Sequence, residues 1–430
     1  MLPPILQDAR SSNNSGGTNN SGGAKQAIAL DSIQGCRAVL AVDDNPMQKA
    51  NLSNWLRTFG LTDILICRDG QHALSFTNEL NEPGCLLILD LEMQGMDGIE
   101  LLQRLYEQEI APAVIILSSA DDVLLSAVAT MVEAMNFNLL GALQKPLTPV
   151  DIYIALDKFR APSCDISEQP AESQPKKLID PLREDLDRGS IQLTFQPRLD
   201  IQAGSFAGVE VIARWHTDKG EVLSAEHDGL RERLTLLQLK QTLIYMAKWR
   251  IAGHPMPVAL QLSAKALGDR LLTNHIMGLV ERYNEDPRLI TFEISDSALM
   301  VDLPHALASI SRLRLKGFGF SIDDYGTEFS SMQQLARFPF TELKVSRNLV
   351  RGALSDPSFT PLLEAAVNTG RRLGITTIAD GVATVEQLRV LRQMGCRQAQ
   401  GDAIAEPMPA NALQDWLQQS LTSALSLCRP

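Results

Sequence analysis

Two stretches of this chain alternate short, almost wholly apolar runs with segments whose apolar residues recur at helical spacing, and few folds accept that pattern. In the first stretch the runs cover residues 38–42, 64–67, 85–89, 113–117 and 139–143. Between the first two, Met47, Leu52, Trp55, Leu56 and Phe59 recur at helix period, and Gly60 closes the segment. Met47, Trp55 and Phe59 are read as core packing. Strands without polar alternation are buried on both faces, so helices must cover both sides of a parallel sheet. The prediction is a five-stranded, doubly wound α/β domain with functional residues beyond the carboxyl ends of its strands. The second stretch predicts strands at 193–196, 209–214, 258–262, 290–294, 319–323, 342–345, 376–379 and near Gln398, with helices between them such as 234–249. About eight strands in roughly 250 residues fit a closed (β/α)8 barrel with helices outside. An open α/β sheet is the alternative.

A chain of 430 residues suggests two or three domains at roughly 150 residues each, and its 45% apolar content excludes a wholly disordered protein. Residues 11–23, SSNNSGGTNNSGG, are too polar to offset the cost of ordering, and residues 161–177 are rich in Pro, Ser and Gln. The expected layout is a flexible tail at 1–34, a first domain at 35–160, a linker at 161–177 and a second domain at 178–430. A net charge of -12 with no helix-turn-helix pattern argues against direct DNA binding. No apolar run reaches the ~18 residues a membrane helix needs, and the first residues lack a basic region followed by a long apolar one. The six scattered cysteines read as reduced thiols. A cytoplasmic protein without membrane attachment is expected.

In the first block the first strand ends in Asp43 and Asp44, the third in Asp90, the fourth in Ser118, and the fifth is followed by Lys145. Each acid alone is equally well a helix cap. Brought together from adjacent strand ends, the three form an oxygen cage for a small hard cation such as Mg²⁺. Lys145 and the Ser118 hydroxyl can face a phosphoryl group, with Asp90 as its acceptor. VDDN at 42–45, LDLEMQGMDG at 89–98, LSS at 117–119 and LQKP at 143–146 resemble the receiver domain of two-component response regulators. The resemblance implies that Asp43, Asp44 and Asp90 hold Mg²⁺, that Asp90 takes phosphate from a sensor histidine kinase, and that Ser118 and Lys145 sense it. It also implies a cis Lys145-Pro146 bond. Gln94 stands where that family usually has Pro, and Ala142 where it has an aromatic switch residue.

Acids cluster at the strand ends of the second block too. Glu293 closes TFE, Asp323 and Asp324 close FSIDD, and Asp380 closes TTIAD, while Lys344 lies on a strand of its own. Glu210 and Arg214 share a strand face by two-residue alternation. Carboxylates from several strands, converging on one barrel mouth, suggest a metal-assisted hydrolase site with Arg214 and Lys344 toward phosphate oxygens. Single acids can also be helix caps or interior ion pairs, the lesser of the two readings. FQPRLD at 195–200, VEVIARW at 209–215, FEISDS at 292–297, IDDYGTEFSS at 322–331, LKVSRNLV at 343–350, IADGVATVEQLRVLRQMGC at 378–396 and QGDAIAEPMP at 400–409 resemble the EAL family. That family hydrolyses cyclic di-GMP to pGpG with Mg²⁺ or Mn²⁺ in a modified (β/α)8 barrel. The resemblance puts Glu210, Glu293, Asp323 and Asp324 at metal-ligand positions and Lys344 at the residue that orients water. Arg214 and Gln400 fall where nucleotide is contacted or the site is ordered, and Asp296 falls at the loop tether.

Gln261 stands where the family has a metal-binding Asn, and Asp380 where it has Glu. Ser346 replaces an Asp, Ala383 a Glu, Glu328 a Gly, and Glu406 a Lys or Arg, and residues 220–237 are altered. Catalytic groups tolerate displacements of only about 0.5 Å. The expectation is therefore a response regulator with a degenerate EAL output domain, acting through cyclic di-GMP binding or contact with a protein partner, a second copy of the chain included. An active cyclic di-GMP phosphodiesterase is the alternative.

Overall fold

The computed structural model describes residues 36–82, 84–159, 191–216, 222–223, 231–263, 267–268, 270–295, 302–326, 335, 337–355, 358–419 and 422. The expected tail at 1–34 and linker at 161–177 lie outside them. Five parallel strands build the first domain: β1 (Ala38–Val42), β2 (Ile64–Cys67), β3 (Cys85–Asp90), β4 (Ala113–Ser118) and β5 (Asn138–Gln144), in the order β2-β1-β3-β4-β5. Alternation divides them between two cores. Val39, Ala41, Leu86, Ile88 and Ile115 face α1 (Pro46–Thr58) and α6 (Pro149–Leu156). Leu40, Val42, Leu87, Leu89, Val114 and Ile116 face the other layer, which contains α2 (Gly70–Leu74), α3 (Thr77–Leu80), α4 (Gly98–Glu107) and α5 (Asp122–Ala134). Helix α1 starts where the Asn45 side chain accepts from the Met47 and Gln48 N–H groups, and Gly60 follows it at φ 94°. Met47 corrects the sequence reading, because it is 73% exposed. It precedes Leu52 by five residues, which places it roughly 140° round the helix from the buried stripe.

The second domain closes. β6 (Ile191–Asp200), β7 (Ser205–His216), β9 (Val258–Gln261), β10 (Ile290–Ser295), β11 (Gly319–Tyr325), β12 (Glu342–Val345), β13 (Thr376–Ala379) and β14 (Gln398–Ala399) form a ring in which β14 pairs with β6. β8 (Val222–Leu223) extends β7 outside that ring. The open-sheet alternative is thereby excluded. β6 runs antiparallel to both its neighbours, while the pairs from β7 through β14 are parallel. Its hairpin with β7 pairs Ile191 with Trp215 at one end and Asp200 with Ser205 at the other, longer than the predicted runs.

The helices outside this ring are α7 (Arg231–Ile251), α8 (Arg270–Tyr283), α9 (Leu303–Leu315), α10 (Arg347–Ser355), α11 (Phe359–Leu373), α12 (Val385–Gln393) and α13 (Ala410–Gln419). The two domains share one apolar cluster, because α4 and α5 pack against α9. Among the described residues no helix is long and apolar enough to cross a membrane.

Candidate functional site

In the first domain, register aligns the strand ends. Val42 pairs with Leu89, and Asp90 with Leu117, so Asp43, Asp90, Ser118 and Lys145 gather at one edge. Asp43 and Asp90 are buried, and Lys145 Nζ lies 2.7 Å from Asp90 Oδ2 and 3.4 Å from Asp43 Oδ2. Burial pushes Asp90 up to about 6, against the pull of Lys145. Ser118 is buried, its Oγ accepting from the Ala120 N–H at 3.0 Å, and the Lys145-Pro146 bond is cis. Ligand oxygens of Asp43, Asp44 and Asp90 all lie within 4.8 Å of one another. Three hard oxygen donors at that spacing fit Mg²⁺.

The barrel mouth is organised differently. Lys344 Nζ donates to Glu210 Oε2 and to Glu293 Oε2, each at 2.9 Å, and lies 3.6 Å from Asp323 Oδ1. Glu293 is fully buried, and its other oxygen, Oε1, accepts from Arg198 Nη2. Arg198 is pinned as well: Nε donates to Gln400 Oε1 at 2.8 Å, and Nη1 reaches Glu342 Oε2 at 3.4 Å. Gln400 Nε2 donates to Asp380 Oδ1 at 2.8 Å and also to Glu210 Oε2. Gln261 turns Nε2 toward Asp323 Oδ2 at 3.4 Å. Asp380 also lies 3.5 Å from Arg347 Nε.

Burial opposes the charge on Lys344, yet Glu210 and Glu293 hold the ammonium well above its ordinary range. Burial and the adjacent Glu210 raise Glu293, whereas Lys344 and Arg198 outweigh burial at Glu210 and draw it down. Asp324 follows at φ 55° and is raised by burial and by Asp323.

Glu210, Gln261, Glu293, Asp323, Lys344, Asp380 and Gln400 are therefore joined in one network. Arg214 lies on β7, its side chain outside the described residues, as are Asp296 and Glu328 altogether. Ser346 is buried, its Oγ accepting from the Leu349 N–H at 3.4 Å. Sequence reasoning missed Arg198 and Glu342. Two-residue alternation carried the signal for both: Arg198 follows Gln196 on β6, and Glu342 precedes Lys344 on β12.

The barrel does not repeat the oxygen cage of the first domain. Both oxygens of Glu293 are engaged by side-chain cations, and among the described residues no three barrel acids converge within 4.8 Å. A guanidinium cannot give up its proton, and one buried between three carboxylates cannot swing away without stranding their charge. In this arrangement both Glu293 oxygens are taken by Arg198 and Lys344.

The EAL domain family model matches residues 179–407, and the response regulator receiver domain model matches residues 39–157. The cyclic di-GMP phosphodiesterase RocR of Pseudomonas aeruginosa is 29% identical over 385 residues, spanning 88% of this chain and 98% of RocR. The oxygen sensor protein DosP of Escherichia coli is 31% identical over 248 residues, which cover 56% of this chain and 31% of DosP. The PaMucR phosphodiesterase, solved as a c-di-GMP complex, aligns at 30% identity with a TM-score of 0.51, covering 54% of this chain and 97% of that one. With the closed barrel, the aligned acids and the receiver cage in place, the chain belongs to the EAL domain family and is a response regulator whose receiver domain precedes a cyclic di-GMP phosphodiesterase-like output domain.

Proposed function

We propose that this protein is a cytoplasmic response regulator, phosphorylated on Asp90 by a sensor histidine kinase, whose barrel signals without efficient hydrolysis of cyclic di-GMP. In the receiver, Asp43, Asp44 and Asp90 would hold Mg²⁺, which would supply charge neutralisation to an incoming phosphoryl group. Asp90 Oδ forms the new bond to phosphorus as the donor's bond to it breaks. Lys145 shifts from Asp90 toward the phosphoryl oxygens, and Ser118 Oγ lies on the adjacent strand end to meet them. In the barrel, Arg198 and Lys344 occupy Glu293, and this single observation carries the reading. The mouth keeps cationic and amide groups suited to a nucleotide phosphate, so its output is bound cyclic di-GMP or contact with a protein partner.

Turnover decides the matter. With saturating Mn²⁺, the wild type is expected to make pGpG at least ~100-fold more slowly than a typical enzyme at ~10 s⁻¹. Ordinary turnover that disappears in Glu210→Ala would establish the second reading, an active phosphodiesterase. That reading is supported by the retained Glu210, Glu293, Asp323, Asp324 and Lys344 and by the likeness to RocR.

A further inference from the structure

Residues 91–97 join β3 to α4, and both ends of this short segment are tied. At the receiver cage, the Gln94 N–H donates to Asp44 Oδ2 at 3.0 Å and the Glu92 N–H to Asp90 Oδ1 at 3.1 Å. At the far end Asp97 caps α4, its Oδ1 accepting from the Glu100 N–H at 2.8 Å. Its second oxygen is held by the barrel: Arg312 Nε on α9 donates to Asp97 Oδ2 at 2.8 Å, and Nη2 donates to Glu100 Oε2 at 2.9 Å. Arg312, Asp97 and Glu100 are all buried. The same guanidinium contacts Asn274 Oδ1 at 3.1 Å, while its buried Nη1 has no hydrogen-bond partner. The fork is therefore fastened mainly to the receiver, at the cost of one unpaired buried donor.

The segment is packed tightly on one side and borders a cleft on the other. A Cβ on Gly98 would lie 2.4 Å from the Asp90 carbonyl oxygen and 2.9 Å from Leu91 Cα, so the start of α4 rests on the backbone of the phosphoacceptor. On its outer side a cleft of about 350 Å³ separates Asp44, Glu92 and Gln94 from Leu315 and Lys316 of the barrel. That space borders the outer face of the segment, whose Leu91, Met93 and Met96 are buried in the core and whose Glu92 Oε2 accepts from the Ser119 N–H at 2.7 Å. Helix α9, which carries Arg312, leads into β11 and its terminal Asp323 and Asp324.

We propose that residues 91–97 act as a strap that reports the state of the receiver cage to the barrel by loosening the Arg312 clamp. The inference rests on the reading of Asp90 as phosphoacceptor. When Asp90 carries the phosphoryl group on a Mg²⁺-loaded cage, the Asp44 carboxylate is drawn inward and its hold on the Gln94 N–H is lost. The strap then shifts into the cleft, Asp97 leaves Arg312, and α9 loses its receiver partner. The tether depends on this chain's own residue, because a proline at position 94 has no N–H to donate.

Hydrogen–deuterium exchange on the full chain, with Mg²⁺ alone and with Mg²⁺ plus acetyl phosphate, tests the strap, and intact mass on the same samples records the phosphoryl group. In the labelled wild type, exchange over residues 303–315 is expected to rise about 10-fold. Arg312→Ala should show the fast exchange before labelling. Gln94→Pro should label at Asp90 yet change less than about 2-fold over the same residues. Labelled wild-type protein with unchanged exchange at 303–315 overturns the strap while leaving the phosphoacceptor reading intact. A wild type that takes no phosphoryl group overturns that reading and the strap with it. If Arg312→Ala does not fold, the wild type and Gln94→Pro decide the question by themselves.

Discussion

Asp90 keeps its proton to higher pH than an unfolded aspartate, because burial penalises its charge more than Lys145 compensates. Its folded value of about 6 lies above the ordinary 3.8, so the folded state binds the proton more tightly between those limits. Stability from this source is complete below about pH 4 and is lost as pH rises through about 6. Without divalent cation, the wild type should therefore lose stability relative to Asp90→Asn over that window, by about 3 kcal/mol, and run parallel to it above pH 7. Denaturant titrations of both proteins at half-unit pH steps measure this; parallel curves throughout would show that Asp90 titrates normally. At this scale the gathering of the receiver's strand-end residues was legible, whereas Met47 was misread as core. Asp43, Asp44, Asp90, Ser118 and Lys145 each lie at or just past a strand end, and the parallel register that buried strands demand brings those ends together.

Strand β6 shows what an element adds to its residues. Alternation puts Gln196 and Arg198 on one face, but only ring closure against β14 brings that face over Glu293 and Glu342. Removing the guanidinium in Arg198→Met strands those two carboxylates and should cost about 3–5 kcal/mol. The same change frees one oxygen of Glu293. Calorimetry with Mn²⁺ should show no wild-type barrel site tighter than about 1 mM, measured in an Asp90→Asn background to suppress the receiver site. A site at least 10-fold tighter is expected once Arg198→Met is combined with Gln261→Asn and Asp380→Glu. An unchanged titration in that variant would mean that Arg198 does not exclude the cation. The substitutions at Gln261 and Asp380 could be read from the sequence. The face that Arg198 occupies could be read as well, but not its partners, which lie 95 and 144 residues away.

Across the whole molecule, receiver and barrel meet through one continuous apolar cluster and the Arg312 clamp. Arg314 adds a weaker pair with Asp121 at 3.8 Å, and Tyr106 meets His305 edge to face at 5.9 Å. Domains coupled through a buried interface melt together, and loosely joined ones melt apart. A single calorimetric transition is expected for the wild type. Arg312→Ala, which leaves Asp97 and Glu100 without their buried cation, should split it, the receiver melting several degrees earlier. Two transitions already present in the wild type would show that the domains do not unfold as a unit. The sequence by itself determined two α/β domains, the strand ends that carry acids and the cage at Asp90. Each of these follows from local periodicity and from residues adjacent to a strand end. Barrel closure, the Arg198 network and the docking of α9 on α4 and α5 were decided by the tertiary structure. They are contacts between distant segments, and a buried charge takes its meaning from whichever partner the fold delivers to it.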